Sequence, residues 1–225
     1  MLFEDTSVYN IYNAISGARN PKNSWNKSDS IFKGYNGKIE NTVIGENDLK
    51  LLQSLIKAGS EHRKFMRQIG VSVIITAPLY WWKEFDTYKV GTVSNSCSTM
   101  HKLADTPITL DCFEMDDFQD CDLESQDMIF PLKSTWESLI SDLEFYRQKY
   151  NETKDKRYWK ELIRLIPESW LQKRTVTMNY ENLLGICSKG QRRFHKLTEW
   201  SNSFIGWART LPYAQELLFL DEFAK

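Results

Sequence analysis

Two groups of side chains in this sequence have types and spacing suited to chemistry. Ser94, Ser96, Cys97 and Ser98 bring hydroxyls and a thiol into one short segment. A hydrolytic nucleophile needs a base and an orienting acid beside it, yet no Gly-x-Ser-x-Gly frames these residues and His101 is near in sequence only. Residues 88–100, rich in Gly, Thr, Ser and Asn, offer hydroxyls and backbone N–H groups instead, the composition of a binding loop. The second group is basic: Lys173 and Arg174, then Lys189, Arg192, Arg193 and Lys196. Arg192 and Arg193 read as the opening of a long terminal helix, where free N–H groups favour an anion and guanidinium forks add charge-assisted bonds to phosphate. Solvated arginines are the bland alternative. His62, following Glu61, reads either as a hydrogen-bonded structural imidazole or as an acid–base group.

Several classes lack their residues. There is no Walker loop, Gly-x-Gly-x-x-Gly or His-Glu-x-x-His. Cys97, Cys112, Cys121 and Cys187 have no Cys-x-x-Cys spacing and only His62, His101 and His195 to complete a zinc set, so no metal site is expected. Lys+Arg of 29 against Asp+Glu of 30 gives a net charge of -1, which disfavours bulk nucleic-acid binding. No apolar run approaches the roughly 20 residues that span a bilayer, and Met1-Leu2-Phe3-Glu4-Asp5 has acids where a signal peptide carries bases. A soluble cytoplasmic protein without membrane partners is expected. Its 225 residues, 41% hydrophobic with 30 aromatics, predict one domain over 1–225 with a sizeable core.

The elements that must position these groups follow from periodicity. Residues 8–37 read as a long polar loop, and Leu49, Leu52, Leu55 and Ile56 predict an amphipathic helix over 48–57 ended by Gly59 at positive φ. Alternation predicts a strand over 65–75, and Pro78 is placed in the first turn of a helix over 79–87 with Tyr80, Trp81, Trp82 and Phe85 as an aromatic surface. Asp111 to Asp127 contains eight acids and no base, an expected exposed acidic loop. Ser134 and Glu137 form a capping-box pattern before a helix with a stripe at Trp136, Leu139, Ile140, Leu143 and Tyr146; a second helix covers 156–165. A strand over 173–178, a helix capped by Asn179, and a final helix over 191–209 that buries Phe194, Leu197 and Phe204 complete the expectation.

In this order the motifs resemble the flavin-dependent thymidylate synthases. The residues that carry the likeness are Leu51 to Gly59, then Glu61-His62, a strand, Ala77-Pro78, an aromatic helix and Asn95-Ser96-Cys97-Ser98, followed by Arg164-Leu165-Ile166-Pro167 and Thr177-Met178-Asn179. The resemblance implies a mixed α/β (α+β) fold with a curved sheet and a helical second half, assembled as a homotetramer. It implies a small-molecule nucleotide, dUMP-like, as ligand, with FAD and folate as cofactors. His62 and Ser98 take catalytic places; His62, Lys89 and Asn95 fall at the cofactor; Ser96, Ser98, Arg164, Asn179 and Arg192 or Arg193 fall at the nucleotide.

The sequence also departs from that family. Tyr88-Lys89-Val90 stands where the family has Arg-His-Arg, Ser96 replaces a Glu, and Met100 replaces an Arg. Each lost guanidinium removes charge-assisted bonds of roughly 1.5–3 kcal/mol to phosphate, so weak or absent FAD affinity is expected. Three readings stay open: a divergent enzyme that methylates or alkylates its nucleotide, a non-catalytic nucleotide-binding protein that has lost the flavin site, and an interaction protein whose aromatic helix is an oligomer interface.

Overall fold

The computed structural model describes residues 1–35, 38–115 and 126–222. The acidic segment from 116 to 125, with Cys121, lies outside the described residues. The strands are β1 (Leu2–Tyr9), β2 (Ile31–Tyr35), β3 (Lys38–Val43), β4 (Gly70–Pro78), β5 (Val93–Ser96) and β6 (Leu171–Asn179). The main sheet has the order β1-β4-β6-β5, and β2 pairs with β3 as an antiparallel hairpin in which Ile31 faces Val43. The chain divides into two compact units: Met1–Leu2, Ile75–Thr87 and Asn95–Arg174 form one, and Phe3–Ile74, Tyr88–Ser94 and Thr175–Lys225 form the other.

The strand β4, which enters the first unit at Ile75, runs on through Pro78, which corrects the expected place of this proline inside a helix. Pro78 is extended, with φ -68° and ψ 154°, and precedes α3 (Leu79–Phe85). The free N–H groups of Leu79 and Tyr80 donate to the carbonyls of Trp170 and Glu168, both at 3.1 Å, so the helix start needs no side-chain cap. The aromatic surface expected on α3 is also corrected. Trp81, Trp82 and Phe85 are buried, with Trp81 stacked on Phe85 at 5.0 Å and the Trp82 indole N–H donating to the Gln172 carbonyl at 3.0 Å. This face is core, so the interface reading loses its basis.

After α4 (Thr99–Lys102), α5 (Gln126–Thr153) and α6 (Lys156–Leu165) form a helical hairpin turned by Lys154 at φ 56°. The Asp155 carboxylate accepts from the Arg157 N–H at 2.9 Å and caps α6. Leu143 and Leu162 are buried with Leu103, Ala104, Ile108 and Phe113, and Trp136, Leu139, Ile140 and Tyr146 pack against them. The stripe is as expected. The start is not: α5 begins at Gln126, upstream of Ser134, which is therefore an interior residue and not a cap.

In the second unit, α1 (Ile11–Arg19) occupies part of the expected polar loop. Ala14, Ile15 and Arg19 are buried on one of its faces, and the Arg19 Nε–H donates to Asp48 Oδ1 at 2.5 Å. Packing of the Ala14–Ile15 face supplies what the weak helix propensity of the Asn and Gly around it does not. The helix α2 (Glu46–Lys57) is followed by Gly59 at φ 107°, as periodicity and the glycine predict. Lys64–Gln68 is a 3-10 turn with Phe65 and Met66 buried, so alternation describes β4 only from Gly70.

Next come α7 (Tyr180–Ile186), α8 (Lys189–Phe194), a π-helical turn (Glu199–Phe204), α9 (Ile205–Arg209) and α10 (Ala214–Leu217). The single long terminal helix is corrected to these pieces. His195 adopts extended angles after α8, and its ring stacks on Trp200 at 4.3 Å. Phe194 and Leu197, expected inward, are exposed.

Candidate functional site

In the first unit, the loop after β5 is held by β6. The Cys97 N–H donates to the Lys173 carbonyl at 2.9 Å, and the Gln172 side-chain amide donates to the Cys97 carbonyl at 2.8 Å. Arg174 donates from Nε to Gln172 Oε1 at 2.9 Å and from Nη1 to Asp86 at 2.8 Å, while its guanidinium lies 4.2 Å from the Trp82 ring centroid. Sequence periodicity had no means of revealing this brace, although Arg174 stood in a basic pair. It leaves Asn95 and Ser96 exposed on β5, with Ser98 half-buried and its carbonyl accepting from the Lys102 N–H at 3.1 Å. These are hydroxyl and amide donors on a fixed backbone, suited to an oxyanion. Arg164, also in this unit, is exposed near the end of α6 and directs Nη1 to Glu161 one turn earlier.

In the second unit, Asn179 caps α7. Its Oδ1 accepts from the Asn182 N–H and its own N–H donates to Asn182 Oδ1, both at 3.0 Å. The Asn182 amide also donates to the Val90 carbonyl. Gly91, at φ 81°, lies against this pair: a Cβ there would sit 3.1 Å from Asn182 Oδ1 and 3.2 Å from Asn179 Nδ2. A positive φ and close approach together require glycine at this turn. Lys89 and Val90 are exposed beside it, and the Tyr88 hydroxyl lies 2.9 Å from His195 Nε2. His62 is exposed in the turn after α2, its N–H donating to the Gly59 carbonyl at 3.0 Å.

Arg192 and Arg193 lie in the last turn of α8, not at the start of a long helix. The backbone groups that end the helix beside them are therefore carbonyls, not the free N–H groups expected to favour an anion. Arg192 donates to Asp221 at 3.0 and 3.2 Å and to the Cys187 carbonyl, whereas Arg193 is exposed and makes no hydrogen bond with a described residue. The Cys187 thiol beneath is pushed up to about 12 by burial, which leaves it protonated. Burial likewise raises the Tyr180 phenol, whose hydroxyl donates to the Pro212 carbonyl at 2.6 Å.

Sequence reasoning missed Arg63, whose Nε–H donates to both oxygens of Glu181 at 3.0 Å. An arginine next to His62 with no periodic signal gave nothing to find it by. Among the described residues no group of three His, Cys, Asp or Glu side chains is placed to hold a metal, and no helix is long and apolar enough to cross a membrane.

No family model matches the sequence. Nor does any curated protein match it. Solved structures do. The chain is similar over 100% of its length, and 100% of theirs, to a crystal structure of Thymidylate Synthase X (ThyX) from Helicobacter pylori with FAD and dUMP, at a TM-score of 0.66 and 14% identity. A second structure, of flavin-dependent thymidylate synthase ThyX from Helicobacter pylori complexed with FAD and dUMP, matches at the same TM-score and identity over 98% of this chain and 99% of that one. The chain therefore has a ThyX-like mixed α/β fold with an antiparallel sheet, as the resemblance implied.

Proposed function

We propose that this protein binds a pyrimidine nucleoside monophosphate of the dUMP kind. The observation that carries the reading is the full-length likeness of fold to ThyX structures that contain FAD and dUMP. Within the chain, support comes from the exposed Ser96 and the half-buried Ser98 on a braced loop and from the exposed guanidinium of Arg193, which has no ion-pair partner among the described residues. In this reading the nucleotide-binding candidates are Ser96, Ser98 and Arg164 of the first unit and, taken separately, Asn179 and Arg193 of the second, with Arg192 acting through its neighbours. The assembly is a cytoplasmic homotetramer of single-domain chains.

Two forms of this reading differ in the flavin. In the first, FAD and folate bind near His62, Lys89 and Asn95, with Ser98 and His62 in catalytic places, and the nucleotide is methylated or alkylated. In the second, the protein binds nucleotide without catalysis. The segment Tyr88-Lys89-Val90 favours the second: it presents one cation, Lys89, beside an apolar Val90 that is 89% exposed, and that donor set does not fit the diphosphate of a flavin dinucleotide.

The purified protein tests both points. At a hundredfold excess over its Kd, dUMP should stabilise the fold by about 2.7 kcal/mol, a Tm rise of several degrees. Deoxyuridine at the same concentration, lacking the phosphate, should stabilise it less. Absence of a shift with millimolar dUMP contradicts the reading, and flavin absorbance retained through purification selects the catalytic form.

A further inference from the structure

Within the second unit, a cavity of about 360 Å³ opens between α2, α7 and the C-terminal segment. Its size is at the small end of ligand sites, which run roughly 300–1,000 Å³. Ile56, Leu184, Leu218 and Leu220 supply apolar walls. Lys57, Arg63 and Asp221 are the charged residues on its lining. None of these was assigned to the nucleotide.

The three charges are not equivalent. The Asp221 carboxylate is already satisfied, by Arg192 at 3.0 and 3.2 Å and by the Lys189 N–H at 3.0 Å. Arg63 uses Nε on Glu181, which fixes the guanidinium and leaves both Nη groups without a hydrogen bond to any described residue. The Lys57 ammonium also makes none. The lining therefore has satisfied acceptors and open cationic donors. With Arg63 balanced by Glu181 and Asp221 by Arg192, the excess is the single charge of Lys57. That is the complement of a monoanion, and a guanidinium edge suits the two oxygens of a carboxylate.

Gly185, on α7, faces this cavity. It has no positive φ, and a Cβ built on it would meet no atom within 4 Å. Neither backbone nor packing requires glycine there, although glycine inside a helix costs about 0.5–1 kcal/mol relative to alanine. Its bare Cα keeps the cavity open. We infer that this cavity binds a small monocarboxylate with an apolar body, the carboxylate at Lys57 and the Arg63 Nη groups and the body against Ile56, Leu184, Leu218 and Leu220. The inference is independent of the nucleotide reading.

Calorimetry with octanoate and octanol tests it on the full chain. Octanoate should bind at submillimolar concentration, and octanol at least fivefold more weakly. Lys57→Gln should lower octanoate affinity about three- to fivefold, the range of an exposed ion pair, and leave octanol unchanged. Gly185→Leu should fill the space and abolish both. A photoreactive diazirine analogue of octanoate, used on the unaltered protein, should label peptides containing Leu184, Leu218 or Leu220, so the outcome does not depend on a variant folding. No octanoate binding at millimolar concentration, equal affinity for octanol, or labelling elsewhere overturns the proposal.

Discussion

Arg192 and Asp221 form a closed pair: Nη2 lies 3.0 and 3.2 Å from the two carboxylate oxygens, and the arginine side chain is 17% exposed. Glu222 adds a contact at 3.3 Å. Its carboxyl is held below the usual carboxylate range by the Arg209 hydrogen bond, with Arg192 adding to the effect. Arg193, one residue on, points its charge to solvent. The two arginines are thus separated in role.

Arg192→Ala should therefore act on stability. It leaves Asp221 and the Cys187 carbonyl short of a donor, an expected loss of about 1–3 kcal/mol. Arg193→Ala should change stability by less than about 0.5 kcal/mol, as surface substitutions do. Urea unfolding of both variants checks this, and equal losses contradict the assignment.

Asp48 is a fully buried acid of the second unit, accepting from Arg19 at 2.5 Å, the Ser28 hydroxyl at 2.6 Å and the Ser30 N–H at 3.2 Å. Burial by itself raises its carboxyl, but the Ser28, Ser30 and Arg19 bonds outweigh that and hold it below the ordinary value. A lowered folded pKa contributes stability above the unfolded value, near 3.9, and loses it as pH falls through the folded one. Asp48→Asn should cost about 3–5 kcal/mol near neutral pH, because it strands the Arg19 charge. It should also flatten the loss of stability below about pH 4. Urea titrations across that range read both effects; an unchanged acid limb contradicts the pairing.

The second half was the more legible in sequence. The stripes of α5 and α6, the strand β6 and the cap at Asn179 each rest on local chemistry that a few neighbouring residues express. What failed rested on distant partners. Pro78 stays extended because the N–H groups after it bond to Trp170 and Glu168, and the last helix breaks because His195 turns to stack on Trp200. The polar residues of 8–37 hide α1, whose Ala14 and Ile15 are buried and whose Arg19 meets Asp48 29 positions away. Residue types pointed to Ser96, Ser98 and Arg193 as candidates, whereas the Gln172–Arg174–Asp86 brace and the Arg63–Glu181 pair needed the fold.

Cysteine labelling gives an independent check of burial. Cys97 is exposed on the braced loop, whereas Cys187 is fully buried with its thiol pushed up to about 12. Iodoacetamide near pH 8 should modify Cys97 within minutes and spare Cys187 until denaturant is added. Mass spectrometry of the digested protein reads this, and native labelling of Cys187 at the rate of Cys97 contradicts the packing.

If a nucleoside monophosphate is held through its phosphate, calorimetry with dUMP and deoxyuridine on the parent and on Arg193→Ala will separate the two ligands. The account predicts that the parent binds dUMP, that Arg193→Ala weakens dUMP by about 10- to 150-fold, equivalent to roughly 1.5–3 kcal/mol, and that deoxyuridine is scarcely affected. Equal losses for both ligands, or no dUMP binding by the parent at millimolar concentration, would contradict it.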